Sequence, residues 1–555
     1  MSSPDFTDQI IETDVLVIGG GAGGCFAAFA ADDLGADVTI IEKAAIRRSG
    51  NLATGVDDAR FAHPEITISV EEFARTIVEP MEGMVDPNLA YILARECYDR
   101  VRELERIGVK MREDDGTIKR FPKRHPAAVW FRGADLKLKM TDEVRRRKIR
   151  VIQYTMGTRL LVDRNRVVGA ICLNIRDGKF MHIKAKATVL TTGGALRLYS
   201  VKGSPFLHHQ CPACAGDGIA MAYHAGAELT GMEFQNISVG PSNPRIFSAL
   251  GAVMDADVPV VDARRQPVAK AITKGANLAQ IVLEQAKAGK GPLFWDFPAI
   301  SEESRIQFAR AAMNERPISL KYLKQEGIDL GKDRVEIAHL ELEGIASHTG
   351  GILIDDEYRA SVEGLYAAGD EVALIGLRGN SALSAMTLGH RAGRFAAKHV
   401  KRIGHGNLNR QQFQEERQRL LAPLNRENGF EPLDLEEKVR NIMTDYCGIE
   451  KVGEKMERGL ELLSRTRGKY LNQVSAKTPH QLMRFVELCS IFDIAEMHLK
   501  ASLMRQESRL GLMHLRIDFP SRDDQNWKKL IIIRKLPGGN MNLETRNLPE
   551  KRERW

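Results

Sequence analysis

The sequence predicts an α/β protein: a Rossmann-like nucleotide-binding domain interrupted by an inserted α+β segment, then helices and a C-terminal extension. Three observations carry this. A strand–glycine turn–helix–strand unit occupies residues 13–43. A second strand ending in glycine and aspartate returns near residue 365, after more than a hundred residues without any nucleotide signature. Long stretches with apolar residues three and four apart follow, from residue 437 to 509. The expected division is 1–235 and 346–400 for the nucleotide-binding domain, 236–345 for the insertion, 401–510 for the helical domain and 511–555 for the extension. A chain of 555 residues is long enough for several cores.

The first unit, TDVLVIGGGAGGCFAAFAADDLGADVTIIEK, has the order that pyrophosphate binding requires. Val15–Ile18 reads as a buried strand, Cys25–Leu34 as a helix of small residues, and Val38–Ile41 as the next strand. Gly19 permits the tight turn, Gly21 lets backbone approach a phosphate, and Gly24 lets helix and strand pack closely. Ala22 and Gly23 open the helix, whose N–H groups face an anion. Glu42, eighteen residues after Gly24, is placed to accept hydrogen bonds from a ribose, and Lys43 follows it. Val15–Ala31 is uncharged over 17 residues, but its glycines and length fit a buried βα unit better than a membrane span.

Residues 148–192 read as a β-meander with turns at DRNR and RDGK, returning to the sheet at ATVLTTGGA. There Thr192, Gly193 and Gly194 offer another close approach of backbone to a ligand. GDGIAMAYHAGAEL then reads as a turn and a helix that Asp217 is placed to cap. Just before it stand Cys211-Pro-Ala-Cys214. With no second pair at zinc-ribbon distance, three readings remain: half a metal site, a redox pair, or a plain loop. The segment from about 235 to 345, including PLFWDFPAI and a helical SEESRIQFARAAMNERPISLKYL, reads as the insertion, and ligands favour such boundaries. Leu365–Ala368 is the returning strand, ending at Gly369-Asp370. Asn380, Ser381, Ala382 and Leu383 then open a second helix of small residues.

Composition excludes little but points one way. Charged residues make up 28% and the net charge is +7, which permits an anionic ligand without arguing for nucleic acid. Seven scattered cysteines indicate neither a disulfide framework nor a ferredoxin-like cluster. The opening MSSPDFTDQIIETD shows no secretory pattern, so a cytoplasmic location is expected.

These motifs, in order, are GGGAGG, EK…RSG, TTGGA, AGDG, HTGG, GLYAAGD and GNSAL, with ESRLGLMHLRIDFPSRDDQNW at 507–527. Together they resemble the flavoprotein subunits of fumarate reductase, succinate dehydrogenase and adenylylsulfate reductase, with L-aspartate oxidase as a relative. The resemblance covers most of the chain and is strongest to the adenylylsulfate-reductase-like branch. It implies FAD as cofactor, a small anionic substrate under the inserted cap, and a separate iron–sulfur partner. It implies no metal in this chain and no membrane span, any membrane attachment being through a partner. It also implies that Ser49, Gly50, Asn51 and Gly55 belong to the flavin loop, and that His348 and Arg378 contact substrate.

Three departures stand out. Where succinate dehydrogenases read R-S-H-T, this chain reads Arg48-Ser49-Gly50-Asn51, so no histidine is present for a covalent flavin link. The family's proton-delivering arginine aligns with Gln280. Arg378 lies two positions from the family's substrate arginine. The expected activity is therefore non-covalent FAD-dependent oxidoreduction, with adenylylsulfate reduction or sulfite oxidation as the named reaction. The alternatives are a soluble fumarate reductase or L-aspartate oxidase, and, distantly, a flavin-containing RNA-modifying protein.

Overall fold

The computed structural model describes residues 10–121, 124–200, 211–242, 250–269, 278–315, 317–345, 349–373 and 382–552. The expected site residues His348, Arg378, Asn380 and Ser381 lie outside these.

The nucleotide-binding unit is built on one seven-stranded sheet. Its strands are β1 (Ile10–Ile18), β2 (Val38–Glu42), β3 (Arg150–Gln153), β4 (Thr155–Asp163), β5 (Arg166–Asn174), β6 (Phe180–Leu190) and β7 (Leu365–Ala367), in the order β3-β2-β1-β6-β5-β4. β4, β5 and β6 form the antiparallel meander, while β1, β2, β3, β6 and β7 run parallel. One edge of β6 is shared: β5 pairs with Phe180–Lys184 and β7 with Thr188–Leu190. Register aligns the strand ends. Ile18 pairs with Ile41 and Leu190, and Leu190 pairs with Ala367. Four parallel strands thus stop at one level, and the segments that leave them converge there. Ligands of open α/β sheets bind beyond the carboxyl ends of the strands.

Two helices cover one face of this sheet: α1 (Ala22–Asp32) and, after a third short helix α2 (Asp217–His224), α3 (Ala382–Val400). They pack backbone to backbone through glycine. A Cβ on Gly389 would collide with the Gly23 carbonyl, and one on Gly393 with that of Ala27. The small residues that open the chain are therefore a packing surface as well as a phosphate motif.

The expected insertion carries its own core. Strands Asn236–Pro241, Val335–Gly344, Leu293–Trp295, Val260–Val261 and Pro267–Ala269 form an antiparallel sheet in that order. Val239, Val260, Trp295, Phe297 and Phe308 are buried in a cluster separate from the main core.

Three helices, α4 (Pro432–Tyr446), α5 (Gly453–Tyr470) and α6 (Pro479–Met504), form much of the helical part. The helical spacing that continues through 437–471 is divided between α4 and α5. The break runs from Cys447 to Val452, where Glu450–Lys451 forms a two-residue strand against Leu515–Arg516 and Lys451 is fully buried. Tertiary pairing here overrides the helical period. The second expected helix, to Arg509, stops at Met504 because Arg505 turns extended (φ −79°, ψ 108°) to enter a buried charge cluster. The C-terminal hairpin Lys529–Lys535/Met541–Asn547 then adds to Leu229–Thr230, closing the extension onto the nucleotide-binding unit. Among the described residues, no helix is long and apolar enough to cross a membrane.

Candidate functional site

An open cleft of about 1120 Å³, counting the part open to solvent, lies at the converging strand ends. Gly19, Gly21, Ala22 and Gly23 line it from the first turn, and Glu42 and Lys43 from the end of β2. Ser49, Gly50 and Asn51 come from the following loop, Thr192 and Gly193 from the exit of β6. Asp217, Gly369, Asp370 and Ala382 complete the expected set. Gly24, Gly55, Gly194 and Leu383 are not among the lining residues.

The glycines divide by role. Gly19 has φ +106°, and a Cβ there would strike the Thr191 carbonyl; one on Gly24 would strike the Gly19 carbonyl. These two are fixed by packing. Gly21 differs: the single atom within 4 Å of an added Cβ is the Gly50 Cα, at 4.0 Å. Gly50 has φ +80° and ψ 165°, and Gly55 φ +99° and ψ 160°, both in a region that glycine alone occupies without strain. The Ser49–Gly55 loop thus bends through a glycine conformation, with Gly50 set close against Gly21.

Charges are placed with equal economy. Glu42 accepts the Gly20 N–H at Oε2 (2.7 Å) and the Ala44 N–H at Oε1 (2.8 Å), tying the end of β2 to the glycine turn. The Lys43 ammonium bonds to Asp217 Oδ2 (2.7 Å), Glu487 Oε1 (2.8 Å) and the Ala213 carbonyl (2.6 Å). Burial alone would lower the Lys43 pKa, but Asp217 and then Glu487 more than offset it and keep the lysine charged. Glu487, on α6, also pairs with Arg197 (2.6 Å), which pairs in turn with Glu436 on α4. A continuous ion network therefore joins the cleft to the helical part.

Asp217 corrects one expectation. The N-cap of α2 is Gly216, without a side-chain cap, and the Asp217 carboxylate turns to Lys43 instead. Its second oxygen, Oδ1, is buried without a hydrogen-bond partner. A buried acceptor left over in a cleft lined by phosphate-motif glycines fits a ligand with hydroxyl or amino donors, such as a nucleotide.

Asn51 fastens three loops. Its Nδ2 donates to Asp370 Oδ2 (3.1 Å), and its Oδ1 accepts the Cys211 N–H (2.7 Å). Thr192 fastens a fourth: its N–H and hydroxyl donate to Glu371 (3.0 and 2.6 Å), and its Oγ1 accepts the Gly218 N–H (3.0 Å). Burial pushes the Glu371 carboxyl up to about 8, against the Thr192 hydrogen bonds and with help from Asp370 and Asp217.

Two functional candidates were invisible in the sequence. Glu371 follows the aspartate of the GD pair but has no motif of its own. Lys137, 3% exposed on the helix Leu136–Arg146, donates to the Gly20 carbonyl and lies 3.5 Å from Cys25 Sγ, clamping the glycine turn from a distance no local pattern reports. The HTGG glycines proved to serve packing: a Cβ on Gly350 would strike the Gly231 carbonyl, and one on Gly351 that of Glu371. Gln280, on the helix Leu278–Lys287, donates its amide to Glu284 (2.8 Å) and is not among the cleft residues. His390 sits on α3 beside Glu103 (3.7 Å) rather than in the cleft.

The sequence matches the profile of the FAD binding domain over residues 14–388, more than half of the chain. Residues 436–553 match the fumarate reductase flavoprotein C-terminal profile. This chain belongs to the fumarate reductase and succinate dehydrogenase flavoprotein family. Its cofactor is FAD, and it is an FAD-dependent oxidoreductase.

Among relatives of this flavoprotein, a fumarate reductase (CoM/CoB) subunit of Methanothermobacter marburgensis is 25% identical, over 95% of this chain and 97% of its own. Adenylylsulfate reductase from Archaeoglobus fulgidus shares the fold with TM-score 0.88 at 21% identity, over 99% of both chains. The E. coli quinol fumarate reductase flavoprotein shares it with TM-score 0.83 at 22% identity, over 97% of both. The mixed sheet and the helical C-terminal part are thus a family architecture along the whole length.

Proposed function

We propose that this chain is the flavoprotein component of a two-part oxidoreductase, holding FAD without a covalent link. It would pass an electron pair between a small anionic substrate and a separate iron–sulfur protein. The observation that carries the non-covalent reading is Gly50: it offers no side chain, and its φ of +80° with ψ 165° disfavours any replacement. Bound FAD supplies two-electron oxidation–reduction chemistry. The residues of the chain would bind and orient it. The first turn of α1 would take the pyrophosphate on free N–H groups. Asp217 Oδ1 and Glu42 would accept ribose hydroxyls, and Asn51 would hold the Gly50 loop against Asp370. Glu371, carrying a proton at neutral pH, would brace Thr192 without adding charge beside the flavin.

The substrate would bind beneath the unit spanning 236–345, with His348 and Arg378 as its anion contacts. Gln280 weighs against fumarate chemistry, because an amide bonded to Glu284 transfers no proton. Together with the C-terminal ESRLGLMHLRIDFP resemblance, it favours adenylylsulfate reduction or the reverse oxidation of sulfite. Fumarate reduction is the second reading, favoured by the full-length similarity to the Methanothermobacter fumarate reductase (CoM/CoB). That relative is one subunit of its enzyme, which supports a multi-chain assembly here, and the described residues of this chain hold no metal-binding cluster of their own.

Two measurements test this. Acid precipitation should release the yellow chromophore into the supernatant; colour retained in the pellet refutes the non-covalent site. In anaerobic titration, bleaching by sulfite that requires AMP supports the sulfur reaction, whereas bleaching by succinate alone selects the second reading.

A further inference from the structure

A second carrier of electron pairs borders the cleft. Cys211 and Cys214 are the first and last residues of a tight turn, closed by the Cys214 N–H donating to the Cys211 carbonyl at 3.1 Å. Such a turn brings its end Cα atoms within about 7 Å, the range over which a disulfide closes. Both residues line the FAD cleft.

The turn is held there from several sides. Asn51 Oδ1 takes the Cys211 N–H (2.7 Å), linking it to the residue beside Gly50. Lys43 bonds the Ala213 carbonyl (2.6 Å), and the Leu196 N–H donates to the Cys214 carbonyl (3.0 Å). A Cβ on Gly193 would lie 2.9 Å from Cys214 Sγ, so glycine at the exit of β6 leaves room for that sulfur. Cys214 is buried and Cys211 partly exposed.

We propose that Cys211 and Cys214 form a redox-active dithiol–disulfide pair that exchanges an electron pair with FAD bound in the same cleft. With Cys211 as thiolate, oxidation of the pair forms the Cys211–Cys214 S–S bond and gives up two electrons and the Cys214 proton. The oxidised flavin takes both electrons and that proton. In reverse, reduced flavin returns the pair and the S–S bond opens. This rests on the FAD site but not on any choice of outer substrate.

The electrostatics support an unequal pair. Interaction with Cys214 brings the Cys211 thiol down to about 6, against burial. The Ala213 backbone and the Lys43 ammonium assist, and Glu42 opposes. Cys214 is pushed up by its interaction with that thiolate and by burial; Lys43 pulls it down and Asp370 adds to the rise. One sulfur is thus a nucleophile at neutral pH and the other keeps its proton, the division that dithiol carriers use. Burial raises the other five thiols, Cys25, Cys97, Cys172, Cys447 and Cys489, which makes them poor nucleophiles.

The test is an anaerobic dithionite titration of the purified holoprotein, with FAD content measured by acid release on the same sample. The expected count is four electrons per FAD in the oxidised wild type and two in Cys211→Ser or Cys214→Ser. Peptide mapping by mass spectrometry should find the Cys211–Cys214 disulfide before titration and two thiols after. A wild-type count of two, with both cysteines still thiols after oxidation, overturns the proposal. Should the variants fail to fold, the wild-type count and mapping decide alone. Should FAD be lost on purification, glutathione-buffered equilibration of the chain followed by mapping still reads the pair: no disulfide at any poise overturns it. Iodoacetamide labelling should modify Cys211 faster than the other cysteines at pH 7, and equal rates count against the thiolate.

Discussion

The chain contains two dense polar centres built on opposite plans. The glycine-lined cleft proposed for FAD is made of backbone: glycine turns, N–H groups at a helix start, and a few charges whose partners among the described residues leave Asp217 Oδ1 unused. The C-terminal centre is made of side chains. Arg505 and Arg509 are 0% exposed and Arg516 3%. Arg505 pairs with Glu233 and Glu507 (both 2.7 Å) and donates to the carbonyls of Trp527 and Lys529 (2.7 and 2.8 Å). Arg509 reaches Asp524 (2.7 Å) and Arg516 reaches Asp518 (2.7 Å). Burial assigns these arginines to the interior rather than to a surface face. Each centre keeps a buried acceptor without a partner among the described residues, Asp217 Oδ1 and Glu233 Oε2; Asp217 lines an open cleft among glycines, whereas Glu233 is enclosed and neutralised by Arg505.

The largest effect should come from breaking the closed centre. Arg505→Met leaves Glu233 buried without its paired guanidinium, while Glu507 keeps Arg509; the unpaired buried carboxylate costs about 3–5 kcal/mol. Thermal unfolding should show a large drop in Tm or loss of soluble protein. A change within error would mean that the cluster does not hold the extension in place.

Glu371 sharpens the contrast through pH. Its folded pKa of about 8 lies above the ordinary carboxyl value of 4.5, because burial disfavours its charge. Between those values the unfolded chain has released a proton that the folded chain keeps. Stability therefore falls as pH rises from 4.5 to 8 and is lowest, for this group, above 8. Glu371→Gln should remove that slope, raising Tm relative to wild type more under mildly alkaline than under mildly acidic conditions. Parallel pH profiles in the two proteins would refute the buried proton.

A smaller loss is expected at Lys43, where the cleft meets the helical part. Lys43→Met removes charge-assisted hydrogen bonds to Asp217 and Glu487, but Glu487 keeps Arg197 and Arg484, so the net cost is that of the Asp217 bond, about 1.5–3 kcal/mol. The variant should fold, lose FAD on gel filtration and melt at a lower temperature. Full FAD retention would show that the Asp217–Lys43 pair does not shape the site.

How much of this was legible follows from the range of each interaction. The βαβ unit, its glycines, the β-meander and the returning strand were readable because they obey local rules of period and turn. Ser49 and Asn51 entered through resemblance and Asp370 as the end of the returning strand, but the Asn51–Asp370 bond spans 319 residues, a distance no window of sequence reports. Lys137 and Glu371 escaped for the same reason. The α4–α5 break was missed because the apolar spacing on either side runs on through it, although Gly448, Ile449 and Val452 are poor helix formers and the segment pairs with Leu515–Arg516. The cysteine pair lay between these cases: its spacing was plain, but only the fold brings it to Gly193 and Asn51.

The finest test lies in the loop where the family histidine is absent. Gly50→Ala forces a side chain into φ +80° and ψ 165°, with its Cβ 3.1 Å from Gly21 Cα. The strain is about 1–3 kcal/mol, and the loop can shift to relieve part of it, so FAD affinity should weaken by roughly tenfold. Fluorescence titration of the apoprotein with FAD would measure this. Gly50→His carries the same backbone cost and adds a ring, so restoring the missing residue should not restore the covalent bond. Acid-precipitated Gly50→His protein should still release its FAD. A yellow pellet would mean that the histidine alone, and not the glycine backbone around it, separates this chain from its covalently flavinylated relatives.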